Sequence, residues 1–247
     1  MQVHFVLGFA QPPTAWADVL AALPHERGAI ARLCPAPGHD PAVPVGEDWD
    51  DALDALAARI PRGALVVGYS FGARLALGLL ARDAIAGAVL IGVNPGIADP
   101  AERAARRAND AAWAARLRAL GTAGFLEEWE AQPLFATAAR ADADRRARRR
   151  AARLGLAPGP LADALERLGT GAMPDLTDAL LTRAARAHLI VGADDARFRA
   201  IHDELARRAP ALAIDVVPGS GHDPTLEAPT ALAALLPPAL ARLARAA

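Results

Sequence analysis

Ser70 is one of only two serines in the 247-residue chain, and it stands in Gly68-Tyr69-Ser70-Phe71-Gly72. A short β-branched run at 64–67 precedes it and a run of helical composition at 74–80 follows, so the chain must reverse within about two residues around the serine. Flanking glycines remove the Cβ atoms that would clash in such a turn and let the serine hold a strained backbone with its hydroxyl presented outward. That hydroxyl is a weak nucleophile or base at neutral pH. It needs an imidazole within hydrogen-bond reach, itself oriented by a carboxylate. Of the six histidines, His222 follows the last strand-like run in Pro218-Gly219-Ser220-Gly221-His222, where glycines let a side chain reach across a sheet edge. His39, also in loop sequence, is the rival; His202 lies in helical sequence, and His4 and His188 lie in or beside strand-like runs, where structural roles suit them better. Val191-Gly192-Ala193-Asp194-Asp195 places two carboxylates just past the fifth strand-like run. Spacing alone leaves both open as the acid, the loser serving as a helix N-cap or loop carboxylate. The expected oxyanion donors are the backbone N–H of Phe71, directly after the serine, and that of Phe9, in Leu7-Gly8-Phe9 after the first strand-like run.

These groups need a scaffold, and the apolar patterning supplies one. Strand-like runs occur at 3–7, 29–34, 64–68, 87–91, 188–191 and 213–217, separated by helical stretches at 16–23, 48–60, 71–82 and 198–208, with 229–246 closing the chain. Such alternation predicts an α/β fold: a mostly parallel sheet of about six strands with helices on both faces. From Asn94-Pro95-Gly96 to about Asp175 there is only Ala-, Arg-, Glu- and Leu-rich helical sequence, which reads as a helical lid insertion at 95–175 between two parts of one core, 1–94 and 176–247. An insertion leaving the carboxyl end of a strand would roof a site there.

Composition narrows the function classes. A net charge of −1 argues against a global footprint for nucleic acid or an anionic membrane. No apolar run reaches the length of a membrane span and no secretory pattern opens the chain, so a soluble cytoplasmic protein is expected. The single cysteine, Cys34, excludes an intrachain disulfide and reads as a core-packing residue. No metal-ligand cluster or dinucleotide fingerprint is present, so no cofactor and no metal are expected. All 27 basic residues are arginine, and seven fall between Arg140 and Arg153, where residues 145–150 read as a solvated helix face.

Four stretches carry a resemblance: Gly68-Tyr69-Ser70-Phe71-Gly72-Ala73-Arg74-Leu75-Ala76-Leu77; Asn94-Pro95-Gly96-Ile97 with Glu102-Arg103-Ala104-Ala105-Arg106-Arg107; Phe125-Leu126-Glu127-Glu128-Trp129 with Gln132-Pro133-Leu134-Phe135; and Leu168-Gly169-Thr170-Gly171. Over nearly its whole length the chain resembles the 2-succinyl-6-hydroxy-2,4-cyclohexadiene-1-carboxylate (SHCHC) synthases, α/β-hydrolase-fold enzymes of menaquinone biosynthesis. The chain order Ser, Asp, His agrees with that fold. The resemblance implies a lyase that removes a ring proton from a succinyl-enolpyruvyl-cyclohexene carboxylate and eliminates pyruvate. It implies Ser70, Asp195 and His222 as the triad, with Asp195 preferred because the acid of the matching segment lies three residues after the glycine. Tyr69, Arg74, Arg106, Trp129 and Arg153 are implied as substrate contacts, and guanidinium groups suit a small polycarboxylate substrate because they bind carboxylates bidentately. Three departures stand out: Leu7 where histidine is usual, which would remove a polar side chain from the pocket edge; Ala73 where glycine is usual; and Asp223-Pro224-Thr225 after the histidine.

The same three side chains could instead form an acyl-enzyme in a carboxylester or thioester hydrolase. A catalytically silent binding protein on this scaffold is the third reading, with Leu7 as its one support. Whether the chain acts as a monomer or a homo-oligomer is undecided by sequence.

Overall fold

The structure is a computed structural model that describes residues 2–24 and 30–246. Its elements in chain order are β1 (Gln2–Val6), α1 (Ala17–Ala22), β2 (Ile30–Cys34), α2 (Trp49–Ala57), β3 (Leu65–Tyr69), α3 (Phe71–Ala81), β4 (Gly87–Ile91), α4 (Pro100–Glu130), α5 (Ala143–Leu154), α6 (Pro158–Leu168), α7 (Thr177–Thr182), β5 (Ala187–Gly192), α8 (Ala196–Arg208), β6 (Ala213–Val217), α9 (Pro224–Glu227) and α10 (Pro229–Ala246). The six strands form one sheet in the order β2-β1-β3-β4-β5-β6, and every neighbouring pair is parallel. Each strand-like run of the sequence is a strand here, although Ala29 lies outside the described residues and Leu7 falls just past β1.

Burial on both faces explains why β1, β3, β4 and β5 read as near-continuous apolar runs. Side chains alternate strictly. Val66, Ala88 and Leu90 join a cluster with Trp49, Leu53, Leu75 and Leu79 of α2 and α3. Their neighbours Leu65, Val67, Val89 and Ile91 join Trp16, Val19, Leu232 and Leu236 on the other face, under α1 and α10. Leu7 belongs to this second cluster and is fully buried. Cys34 is half-buried against the first, its Sγ 3.6 Å from His4 Nδ1.

Strand order reverses between β1 and β3, because the chain leaves β1 for β2 on one side and returns to place β3 on the other. Carboxyl ends flanking such a reversal form the crevice where open α/β sheets bind ligands. Between β4 and β5 the described chain contains helices and turns but no strand. Asp99 caps α4 by accepting from Glu102 N–H, and Gly121, at φ 65° and ψ 178°, breaks that helix so that its second half folds back. Ala114, Leu117, Phe125 and Leu126 from its two halves bury Leu161, Ala162 and Leu165 of α6 in a small core of their own. No helix among the described residues is long and apolar enough to cross a membrane.

Packing is close where β3 turns into α3. A Cβ on Gly72 would lie 2.1 Å from the Val6 carbonyl oxygen, and one on Gly68 would lie 2.5 Å from the Gly72 oxygen. Both obstacles are backbone, so neither can swing aside. Gly72→Ala is therefore expected to cost at least about 3 kcal/mol of unfolding free energy in urea; a loss under about 1 kcal/mol would mean that β1 and α3 can separate there.

Candidate active site

Ser70 occupies the single residue between β3 and α3, at φ 50° and ψ −107°. A non-glycine residue at positive φ is strained by roughly 1–3 kcal/mol and persists only where its surroundings over-determine it. Here they do: Ser70 N–H donates to the Ile91 carbonyl at 2.8 Å, its own carbonyl accepts from Arg74 N–H at 3.1 Å, and the flanking glycines close the turn. The result turns Oγ away from the sheet and towards His222.

Ser70 Oγ lies 3.1 Å from His222 Nε2, and His222 Nδ1 lies 2.7 Å from Asp195 Oδ2. A carboxylate only accepts, so Nδ1 carries the proton towards Asp195 and Nε2 is left to accept from the serine hydroxyl. Both His222 and Asp195 are buried, and the Phe198 ring covers the imidazole with centroids 4.4 Å apart. Asp195 holds two positions at once. Its Oδ1 accepts from Phe198 N–H at 3.3 Å as the N-cap of α8, while Oδ2 takes the imidazole. The cap therefore orients the carboxylate towards His222. Asp194 points elsewhere, its Oδ2 taking Arg140 Nη1 at 2.6 Å on the surface.

These side chains open into a cavity of about 570 Å³ whose lining also includes Phe9, Tyr69, Phe71, Arg74, Arg106, Trp129 and Arg153. All ten site residues expected from sequence thus share one cavity. Among the described residues the N–H groups of Phe9 and Phe71 donate to no other group in the chain. The aromatic wall is continuous: Phe9 packs on Trp129 at 5.3 Å, and Trp129 stacks on Phe125 at 5.2 Å.

The arginines differ in what they have left to offer. Arg74, buried beneath Phe71, donates Nη1 to the Leu168 carbonyl at 2.7 Å; burial, aided by nearby Arg106, pushes its guanidinium down to about 9, which still leaves it charged at neutral pH. Arg106 is a third exposed and uses Nε on Asp110 at 2.7 Å, one helical turn on. Arg153 donates Nε to the Ala10 carbonyl at 3.1 Å and Nη1 to Glu130 at 3.0 Å, a carboxylate it shares with Arg150, so much of its donor capacity is spent inside the protein.

The family model described as the alpha/beta hydrolase family matches residues 3–235. A 2-succinyl-6-hydroxy-2,4-cyclohexadiene-1-carboxylate synthase of Serratia proteamaculans is 33% identical over 242 residues, covering 92% of each chain. The chain belongs to the SHCHC synthase family of α/β hydrolases. Among solved structures, MenH from S. aureus superposes with a TM-score of 0.89 at 23% identity, covering 100% of this chain and 94% of that one. A thermophilic esterase from Thermogutta terrifontis superposes at 0.78 with 23% identity, covering 98% and 90%. Likeness at that identity speaks for the fold alone.

Three expectations for this SHCHC synthase family member need correction. Residues 145–150 are not a uniformly solvated face: Arg149 is only 6% exposed, donating to Asp223 at 3.0 Å and to the Ala15 carbonyl at 2.7 Å, and Arg145 reaches Asp18 and the Leu226 carbonyl. Arg145, Arg149 and Arg153 recur every four residues and so share one helix face turned inward. Leu7 does not mark the pocket edge, since its side chain packs in the core with Trp16 and Tyr69. His39 is no rival base. Its Nε2 accepts from Ala10 N–H at 2.8 Å and its Nδ1 pairs with the Pro37 carbonyl at 3.0 Å, an arrangement that braces the turn bearing Phe9; burial pushes it down to about 4.

Sequence reasoning missed several supports. Asp110 is buried, accepts from Arg106 and from Gly171 N–H at 3.2 Å, and so fixes the Leu168-Gly169-Thr170-Gly171 stretch against α4. Its signal was the i, i+4 spacing from Arg106. Gln11 takes Gly8 N–H at 3.0 Å and donates to Thr225 at 3.1 Å. Helix α9 was also missed, although Asp223-Pro224 before Glu227 carries an N-cap, a proline at the first helical position and an acid in the first turn. Among the described residues no group of three or more His, Cys, Asp or Glu could hold a metal.

His202, fully buried, gives Nε2 to the Val93 carbonyl at 3.0 Å and is pushed down to about 4, chiefly by burial. Its folded value lies below its ordinary 6.5, so the stability it contributes is whole above pH 6.5 and is lost as pH falls towards 4. Between pH 7 and pH 4 the wild type should lose about 3 kcal/mol more unfolding free energy than His202→Gln. Equal losses in the two proteins would remove His202 as the titrating group.

Proposed function

We propose that the chain is an SHCHC synthase: a carbon–oxygen lyase that eliminates pyruvate from 2-succinyl-5-enolpyruvyl-6-hydroxy-3-cyclohexene-1-carboxylate. The observation that carries this reading is the hydrogen-bonded Ser70–His222–Asp195 chain opening into a cavity that also holds Arg74 and Arg106. The 33% identity to the Serratia protein over nearly the whole chain supports it.

The chemistry follows from the substrate's connectivity. The hydrogen on ring carbon 2 is acidic because that carbon bears the succinyl ketone. Ser70 Oγ, polarised by His222, takes this proton, and the imidazole accepts the serine proton in turn. The electron pair moves from carbon 2 into the ring, the 3,4 double bond shifts, and the carbon 5–oxygen bond breaks. Enolpyruvate leaves and, on taking up a proton, becomes pyruvate; the ring is left as the 2,4-diene. Charge grows on the succinyl carbonyl oxygen during proton removal, and the free N–H groups of Phe9 and Phe71 are the donors we assign to it. Asp195 stabilises the imidazolium without taking the proton.

Residues 95–175 act in this reading as the lid of the core made by 1–94 and 176–247, contributing Arg106, Trp129 and Arg153 to the cavity. Arg74 and Arg106 pair with substrate carboxylates, each charge-assisted pair being worth roughly 1.5–3 kcal/mol. Tyr69 and Trp129 wall the ring. Arg153, whose Nε and Nη1 are already spent on the Ala10 carbonyl and Glu130, contributes least. The ligand is a small polycarboxylate, and the setting is quinone synthesis in the cytoplasm.

Pyruvate release from the purified protein supplied with this cyclohexene tests the assignment. Ser70→Ala should reduce it to background, Asp195→Asn should lower kcat at least about 10³-fold, and Asp194→Asn should change it less than about threefold. Arg106→Ala should lower kcat/KM more than about tenfold. Turnover of activated esters at a rate comparable to the cyclohexene would instead favour a hydrolase, and a reversal of the two aspartates would move the acid to Asp194.

A further inference from the structure

Ser70 and Asp195 are held by regular structure, but His222 is not. It sits in the loop between β6 and α9, after Pro218-Gly219-Ser220-Gly221, with Gly219 at φ 67°. Its imidazole must nonetheless meet two partners within 3.1 Å and 2.7 Å. Something has to fix the backbone from which it hangs.

Glu227, in the last position of α9, meets that requirement with both oxygens. Its Oε2 accepts from Gly221 N–H at 2.8 Å and its Oε1 accepts from Asp223 N–H at 3.1 Å, the residues immediately before and after His222. Thr137 packs against the loop from another side, since a Cβ on Gly221 would lie 2.0 Å from its hydroxyl oxygen. The far side of the loop is tied to the acid-bearing segment by Asp194 N–H donating to the Ser220 carbonyl at 2.9 Å. We propose that Glu227 is the positioning residue for His222: one carboxylate clamps the peptide groups on either side of the imidazole and sets its distance to Ser70.

This rests on the lyase reading only for its kinetic test. An ionised carboxylate can accept both N–H groups, whereas the glutamine amide offers one acceptor oxygen and turns N–H donors towards the other peptide. Glu227→Gln is thus nearly isosteric but breaks one arm of the clamp. Two readouts are expected. In pyruvate release, kcat should fall at least about tenfold while KM stays within about twofold, because substrate contacts are untouched. In proton NMR of the free protein, the low-field His222 Nδ1 proton shared with Asp195 should shift or broaden. Should Glu227→Gln not yield folded protein, Glu227→Asp, which keeps the charge but draws both oxygens back by one methylene, is judged by the same two readouts. A kcat within about threefold of wild type together with an unmoved Nδ1 resonance would overturn the proposal, as would a loss confined to KM. The resonance needs no substrate. A wild type that releases no pyruvate would therefore overturn the functional reading while the clamp is still decided by NMR.

Discussion

Three groups at the carboxyl ends of three different strands must come within hydrogen-bond reach of one another, and the architecture serves that constraint. Ser70 follows β3, Asp195 follows β5 and His222 follows β6. A parallel sheet puts all three ends on one edge, so a serine from the middle of the sheet and a histidine from its margin can meet. What the sheet cannot do is aim the side chains. That is left to local devices: a positive-φ serine wedged between two glycines, an aspartate whose spare oxygen caps a helix, and a histidine loop held from α9.

Each device couples stability to function. The Gly68 and Gly72 contacts that present Ser70 are the same contacts by which α3 packs on the sheet. Asp195 gains rigidity from Phe198 N–H, so α8 supports the carboxylate that meets His222 and is not merely a cover for the sheet. The inward arginines of α5 grip carbonyls at Ala10 and Ala15, which lie beside the turn carrying Phe9. Charge in this region is thus divided between holding the scaffold and facing the cavity.

Much of this was legible in the sequence because the signals were local. The serine motif, the alternation of apolar runs with helical stretches, and the order Ser, Asp, His each follow from short-range chemistry. Spacing alone left Asp194 and Asp195 both open, because they sit at the same strand end; what separates them is that Asp195 reaches His222 Nδ1 while Asp194 turns to Arg140. The burial of Arg149 escaped because its partners, Ala15 and Asp223, are far away in the chain, and a helix with six arginines looks solvated when read alone. Leu7 was misplaced for a similar reason. Its neighbour Phe9 faces the cavity, but the chain turns between them, and Leu7 keeps the strand's inward facing.

In the proposed lyase, Ser70 Oγ removes a proton and never bonds to carbon. Turnover of substrate deuterated at ring carbon 2, combined with mass spectrometry of the acid-quenched enzyme, addresses it directly. A primary isotope effect on pyruvate release and an unmodified mass for the Ser70 peptide throughout turnover are expected. A substrate-derived mass increase on that peptide, with no isotope effect, would contradict it and make the serine a nucleophile.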